Sequence, residues 1–252
     1  MIGKILDLPN DDTRKIIFVA VSLCLVCSLV VSTAAVYLKP LQEMNKALDR
    51  KKSILKVAGL TEPGVDIDQL FDASVETRLV DLDTGQFTDT LDPKSYDQRR
   101  AARDPSLSNA LPADEDIAGI GRRARYAPVY LVRDGDALDQ LIIPVHGYGL
   151  WSTMYGFIAL ENDLQTVAGV TFYEHGETPG LGGEIENPAW QAGWVGKKIY
   201  DETRQPRLRV IKGPVAAASQ DAPTGIDSVS GGTSGGWDTE FQIDGISGST
   251  LT

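Results

Sequence analysis

The sequence predicts an α+β fold: a single N-terminal transmembrane helix followed by a mixed α/β domain with a mainly antiparallel sheet. Three observations carry that expectation. Ile16 to Leu38 contains no charged residue. Leu41, Met44, Leu48, Leu55 and Ala58 recur at near-helical spacing. Between Val129 and Tyr173, short apolar or alternating runs are separated by turn residues, the pattern of neighbouring antiparallel strands. The chain divides accordingly into an N-terminal segment 1–15, a span 16–38, a stalk helix and accessory region 39–125, and a main domain 126–252.

At about 1.5 Å rise per residue, Ile16 to Leu38 is long enough to cross a hydrocarbon core of roughly 30 Å. Arg14-Lys15 and Lys39-Pro40 give the stretch sharp ends. A secretory signal would have a shorter apolar region ahead of a small-residue cleavage site, which Ser32-Thr33-Ala34-Ala35 could imitate. Length favours the span. Sidedness stays open: Lys4, Arg14 and Lys15 precede the span and Lys39, Lys46, Arg50, Lys51 and Lys52 follow it, but long domains translocate largely regardless of charge. Cys24 and Cys27 lie about one helical turn apart within the span. Small residues packing against a neighbouring helix account for them better than a metal site, which needs more ligands.

Beyond the span, Gly59 is placed to end the stalk helix in a left-handed cap. Asp66 to Ala73 reads as a short helix, and Val75 to Leu82 as a strand turning at Asp83-Thr84-Gly85. Asp89 to Asp116 carries Pro93, Pro105 and Pro112 and reads as loop with short helical turns. Val129 to Arg133, a turn at Asp134-Gly135 and Gln140 to Val145 form a hairpin; Gly156 to Glu161 and Val167 to Tyr173 follow as strands. Arg207 to Lys212 and Phe241 to Ile243 are later strand candidates, and Gly231 to Gly236 a loop tip. The formal charge of −11 argues against nucleic acid as a partner, because such binding is dominated by cationic contacts to phosphate. There is no GxGxxG fingerprint or P-loop, so a dinucleotide should bind elsewhere.

Two glycine-rich segments end strands: His146-Gly147-Tyr148-Gly149-Leu150-Trp151, and Tyr173 to Glu184 with Glu177-Thr178-Pro179-Gly180-Leu181-Gly182 at its centre. Both suit a backbone that approaches a flat ligand. A flavin ring needs apolar or aromatic cover and edge hydrogen bonds. Trp151, Tyr148 and Leu181 could supply the cover; Thr178 and the amides of Gly180 and Gly182 could supply the edge contacts. Taken alone, the same pieces read equally as hairpin loops. A third segment, Asp244-Gly245-Ile246-Ser247-Gly248-Ser249-Thr250-Leu251-Thr252, sets one threonine hydroxyl among tiny side chains. By composition alone it could also be a flexible tail.

The three segments together resemble the family of FMN-binding C-subunits of the bacterial sodium-translocating NADH:quinone reductase, with the flavin subunit of Rnf-type complexes as a near relation. Gly147 to Ser152, Glu177 to Gly182, Gly183 to Gln191 and Asp244 to Thr250 carry the resemblance. It implies an electron-transfer subunit in which FMN is esterified to Thr250 by an FAD:protein FMN transferase, Asp244, Ser247, Gly248 and Ser249 completing the recognition sequence. Ser249 stands where that pattern usually has alanine. Other subunits of the complex, a bacterial inner membrane and a periplasmic flavin domain are implied as well, with electrons passing from NADH towards ubiquinone and sodium being exported. Relatives continue past the threonine, whereas this sequence stops at Thr252, as a fragment would. The alternatives are an Rnf-type subunit, a membrane-anchored FMN-binding sensor, or a domain that has lost its flavin and only braces the complex. A negative Glu177 near the ring would lower the flavin potential. His175 and Glu177 invite an acid-base assignment, but an electron carrier need not abstract a proton from substrate; His175 reads equally as a structural hydrogen-bonding residue, and a place at a strand end accounts for His146.

Overall fold

A computed structural model describes residues 9–61, 64–211, 215 and 239–246. The chain divides into two compact units, Met1–Leu48 and Asp49–Thr252. From Thr13 onward the first is the start of helix α1, Thr13–Val57, whose apolar part is long enough to cross a membrane and buries nothing among the described residues. Asp12 starts it by accepting the Arg14 amide at 2.8 Å.

The span and the stalk, read separately in the sequence, form one helix, and α1 continues through Pro40. Proline removes one hydrogen bond to the preceding turn, and the ladder resumes beyond it. The helix ends as expected. Gly59 adopts φ +73°, its amide donates to the Lys56 carbonyl at 3.1 Å, and the Leu60 amide reaches back to Leu55 at 2.9 Å. This pair of bonds is a Schellman closure.

Within the second unit a short helix α2, Ile67–Ser74, is capped by Asp66, whose carboxylate accepts from the amides of Asp68 and Gln69. It leads into β1, Val75–Asp81, which turns into β2, Gln86–Thr88. The proline-bearing region holds α3, Gln98–Arg103, and β3, Ser108–Ala110, which pairs with β4, Arg122–Ala124. The main strands are β5, Tyr126–Asp134; β6, Ala137–Tyr148; β7, Thr153–Glu161; and β8, Val167–Glu174. All are longer than their apolar runs alone suggest. Gly135, at φ +60°, takes the first central position of the β5–β6 hairpin, where positive φ matches the strand twist.

The six-stranded sheet has the order β2-β1-β5-β6-β7-β8 and is antiparallel throughout. Its register puts Tyr130, Val132, Ile142, Phe157 and Ala159 on one face, against Ile54, Leu55 and Val57 from the last turns of α1 and Phe71 of α2. Ile158, Leu160 and Val167 point the other way, towards Trp194, Ile199 and Leu208. Burying one such aliphatic side chain stabilises the fold by about 1.5–3 kcal/mol, so the end of α1 is an integral part of this core. After β8 come a 3-10 turn, Gly182–Glu186, and α4, Pro188–Ala192. A parallel pair, β9, Arg209–Val210, and β10, Gln242–Ile243, forms a separate two-stranded sheet.

Candidate flavin site

At one end of the sheet, the loops after β6 and β8 are drawn together by Glu177. Its Oε1 accepts the Trp151 backbone N–H at 3.1 Å. The rest of the carboxylate occupies space that side chains at the two facing glycines would need. A Cβ on Gly149 would run into the Glu177 carboxylate and lie 3.0 Å from the Ser152 carbonyl, and one on Gly182 would lie 2.9 Å from Glu177 Oε2. Glycine at both positions lets the two loops close over one carboxylate. Gly149 also closes its own turn, its amide donating to the Ser152 carbonyl at 2.8 Å.

The approach of Glu177 is set one step back. Its amide donates to His175 Nδ1 at 3.2 Å. That bond leaves the proton of neutral His175 on Nε2, which lies 3.0 Å from Glu186 Oε1 but outside hydrogen-bond geometry. Leu181 and Gly183 both donate to the Thr178 carbonyl, at 3.1 and 3.0 Å, and Gly180 at φ +77° makes the reversal possible.

A second support lies on the face that packs α3. The β7–β8 register shifts between Tyr155 and Gly156, so Tyr155 faces Glu174 while Gly156 faces Phe172. The extra residue, Tyr173, lets two consecutive side chains meet Arg99, which bonds Glu174 Oε2 at 2.8 Å and the Tyr173 hydroxyl at 3.2 Å. The guanidinium lies 3.4 Å from the Tyr155 ring centroid, and His146 stacks on the same ring at 5.7 Å. Burial alone would lower the Arg99 pKa, but the Glu174 bond and Tyr173 outweigh it and hold the pKa above the ordinary value. The His146 pKa is lowered, by burial first and by the Arg99 charge second.

Of the residues singled out in the sequence, Trp151, Glu177, Gly180, Leu181 and Gly182 meet in this pair of loops. Trp151, Leu181 and Tyr148 keep 67, 44 and 60% of their surface exposed, a large apolar area for loop positions. Thr178 is exposed, and its hydroxyl bonds nothing among the described residues. Apolar cover beside free edge donors fits a flat, acceptor-rich ring.

Asp244 belongs to the end of the same loop in another way: its carbonyl accepts the Trp190 indole N–H at 2.8 Å, and its Oδ1 accepts the Val215 amide at 2.5 Å. Ser247, Gly248, Ser249 and Thr250 lie outside the described residues. Sequence reasoning missed Arg99 and Trp190. Asp97 ahead of Gln98-Arg99-Arg100 is a capping signal that could have placed Arg99 on a helix, since its carboxylate accepts both following amides. Asn187-Pro188 is a comparable signal for Trp190, an N-cap followed by proline at the first helical position.

A long apolar N-terminal helix, an antiparallel sheet and paired glycine loops of this kind define an FMN-binding domain protein with a membrane helix, and a family described as the FMN-binding domain matches residues 149–252. The C-subunit of the Na(+)-translocating NADH-quinone reductase of Pseudomonas aeruginosa is 52% identical over 227 residues, covering 89% of this chain and 87% of that protein. The corresponding protein of Vibrio vulnificus is 50% identical over 243 residues, covering 96% and 87%. The crystal structure of Shewanella oneidensis NqrC superposes with a TM-score of 0.68 at 33% identity, covering 83% of this chain and 87% of that one. This chain belongs to the NqrC family, the C-subunits of the Na(+)-translocating NADH-quinone reductase.

Proposed function

We propose that this chain is the flavin-carrying electron-transfer subunit of a sodium-translocating NADH:quinone reductase, with FMN joined covalently to Thr250. The observation that carries the reading is the closure of the Trp151 and Leu181 loops around Glu177, which leaves their apolar side chains and Thr178 facing outward. Bound there, FMN supplies a carrier that can take up and release electrons singly or in pairs. The chain's own residues do the placing. Trp151 and Leu181, with Tyr148, cover the ring; Thr178 and the amides of Gly180 and Gly182 meet its edge; Asp244 anchors the segment that carries the phosphate; and the amides of Ser247, Gly248 and Ser249 hold that phosphate.

Attachment happens once, in the transferase. The Thr250 hydroxyl oxygen bonds to the FMN phosphorus of FAD, the pyrophosphate P–O bond breaks, AMP leaves, and the hydroxyl proton passes to a base. An unactivated hydroxyl is a weak nucleophile, so base and metal come from the transferase.

The partners on this reading are the other subunits of the complex and, during maturation, the FAD:protein FMN transferase. Helix α1 holds the chain in a bacterial inner membrane, and the flavin domain is periplasmic. By simple count the basic residues after the span outnumber those before it and favour a cytoplasmic domain, but long domains translocate largely regardless of charge, so the family placement is preferred.

Intact mass and in-gel flavin fluorescence under denaturing conditions test the attachment, on chain co-expressed with the transferase and on Thr250→Ala. A mass gain equal to esterified FMN that disappears in the variant is expected. An unmodified, non-fluorescent chain would turn the reading towards a bracing subunit. Protease accessibility in spheroplasts tests the sidedness, with cleavage of the domain expected from the outside.

A further inference from the structure

We infer that Trp190 is the positioning residue that couples the glycine loop to the segment bearing the attachment threonine; the inference rests on the reading of Thr250 as the FMN acceptor. Trp190 lies on α4, directly after the 3-10 turn that closes the Glu177 loop. That junction is tied tightly. Asn187 accepts the Ala189 amide at 3.0 Å and donates to Glu184 Oε2 at 2.8 Å, and buried Gln191 donates to the Ile185 carbonyl at 2.9 Å. The Trp190 ring lies 6.3 Å from Phe172 on β8 and 5.5 Å, edge to face, from Trp194. Its orientation is therefore fixed by the sheet as well as by its own helix.

The returning segment is docked residue by residue. Lys198 donates its amide to the Glu240 carbonyl at 2.8 Å, Ile243 is 1% exposed, and the Ile211 amide reaches the Ile243 carbonyl at 2.9 Å. The indole N–H then takes the Asp244 carbonyl. Among the described residues, this bond and the one from the Val215 amide to the Asp244 carboxylate are the last hydrogen bonds to that segment, since none is made to Gly245 or Ile246. A chain runs at most about 3.3–3.6 Å per residue, so fixing Asp244 bounds how far from Trp190 the Thr250 hydroxyl can lie, whatever path joins them. The short helix that follows the glycine loop thus carries, on one ring, the donor that holds the start of the tether. Asp244 has its carboxylate engaged as well, by Val215, and acts here through its backbone position.

Trp194 provides a matched control. It packs against Trp190, yet its own Nε1 is buried without a hydrogen-bond partner among the described residues. Trp190→Phe removes a donor that holds Asp244; Trp194→Phe removes one that holds nothing described.

The experiment uses the full chain, flavinylated by the transferase, as wild type, Trp190→Phe, Trp194→Phe and Thr250→Ala. Intact mass reports attachment, circular dichroism and thermal midpoint report the fold, and iodide quenching with fluorescence anisotropy reports how firmly the attached flavin is held. Trp190→Phe is expected to keep its fold and its covalent flavin, while the fraction of flavin open to iodide rises about fivefold and anisotropy falls, as loss of one hydrogen bond would give. Trp194→Phe is expected to match wild type. Equal quenching in wild type and Trp190→Phe would overturn the positioning role, and so would an equal rise in Trp194→Phe. Should Trp190→Phe lose its fold, benzothienylalanine at position 190, an isosteric ring with sulfur in place of N–H, makes the same comparison. Flavin retained in Thr250→Ala, or absent from wild type, would instead overturn the attachment reading beneath it.

Discussion

Glu177 and Trp151 are joined across two loops by one hydrogen bond, the carboxylate accepting the backbone N–H at 3.1 Å, and the two glycines facing that carboxylate have no side chain to push it away. The relationship explains why both loops carry glycine at the points of approach. Gly149→Ala is expected to destabilise the domain by about 1–3 kcal/mol, because the new methyl meets both Glu177 and a backbone carbonyl that cannot swing aside. Thermal or urea unfolding of Gly149→Ala, Glu177→Ala and the double variant measures it. The two losses should be less than additive, since removing the carboxylate removes part of the clash.

Glu177→Gln separates latch from charge. The amide oxygen still accepts the Trp151 N–H, so stability should change by less than about 0.5 kcal/mol. A carboxylate beside the ring disfavours the reduced, anionic flavin, so its neutralisation is expected to raise the midpoint potential. Redox titration of the flavinylated variant reads this directly, and an unchanged potential would leave Glu177 as a latch alone.

Arg99 supports the same loop from its base. Its contacts with Glu174, Tyr173 and the Tyr155 ring are about a quarter exposed on the arginine side and nearly half exposed at Glu174, at 27 and 45%, so solvent screens part of the attraction. Arg99→Ala is expected to cost about 1–2 kcal/mol, combining a partly desolvated cation–π contact with charged hydrogen bonds. Amide exchange should quicken from Glu174 to Gly183 more than in β6. Arg99→Lys should recover only part of the loss, because an ammonium cannot lie flat on Tyr155 while reaching both oxygen partners.

What can be read from the sequence is local. Gly59 ends a helix through bonds within its own turn, Asp66 caps the next one, and Asp134-Gly135 closes a hairpin; each reports on neighbours a few residues away. The two glycine loops are legible for the same reason, although the part Glu177 plays in joining them is not. Strand ends read short: the polar or small residues flanking each apolar core give no signal, yet hydrogen-bonded partners keep them extended. Arg99 with Glu174, and Trp190 with Asp244, are 75 and 54 residues apart and meet only because the sheet has formed. No spacing rule reaches that far. The continuity of span and stalk is not legible either, since Pro40 stands between them, yet it costs one bond and α1 runs on.

His146 should make the domain sensitive to acid just below neutrality. Burial, and then the Arg99 charge, hold its folded pKa below the ordinary value of 6.5, so the folded chain binds fewer protons than the unfolded chain in the window beneath that value. Stability contributed by neutral His146 is therefore fully present above about pH 6.5 and declines as pH falls towards the depressed pKa. The carboxylates lie in a lower window: Asp163, held down chiefly by the Thr166 hydroxyl, gives up its contribution only as pH falls below the ordinary aspartate value of 3.8. Between pH 7 and 5, then, the thermal midpoint of wild type should fall while that of His146→Gln, which cannot take up the proton, should fall less. Because His146 stacks on the ring that Arg99 covers, Arg99→Ala should also shrink the pH effect, by raising the histidine's pKa back towards its ordinary value. Midpoints of the three chains followed across that range by differential scanning calorimetry decide it, and parallel curves would show that His146 does not govern the response.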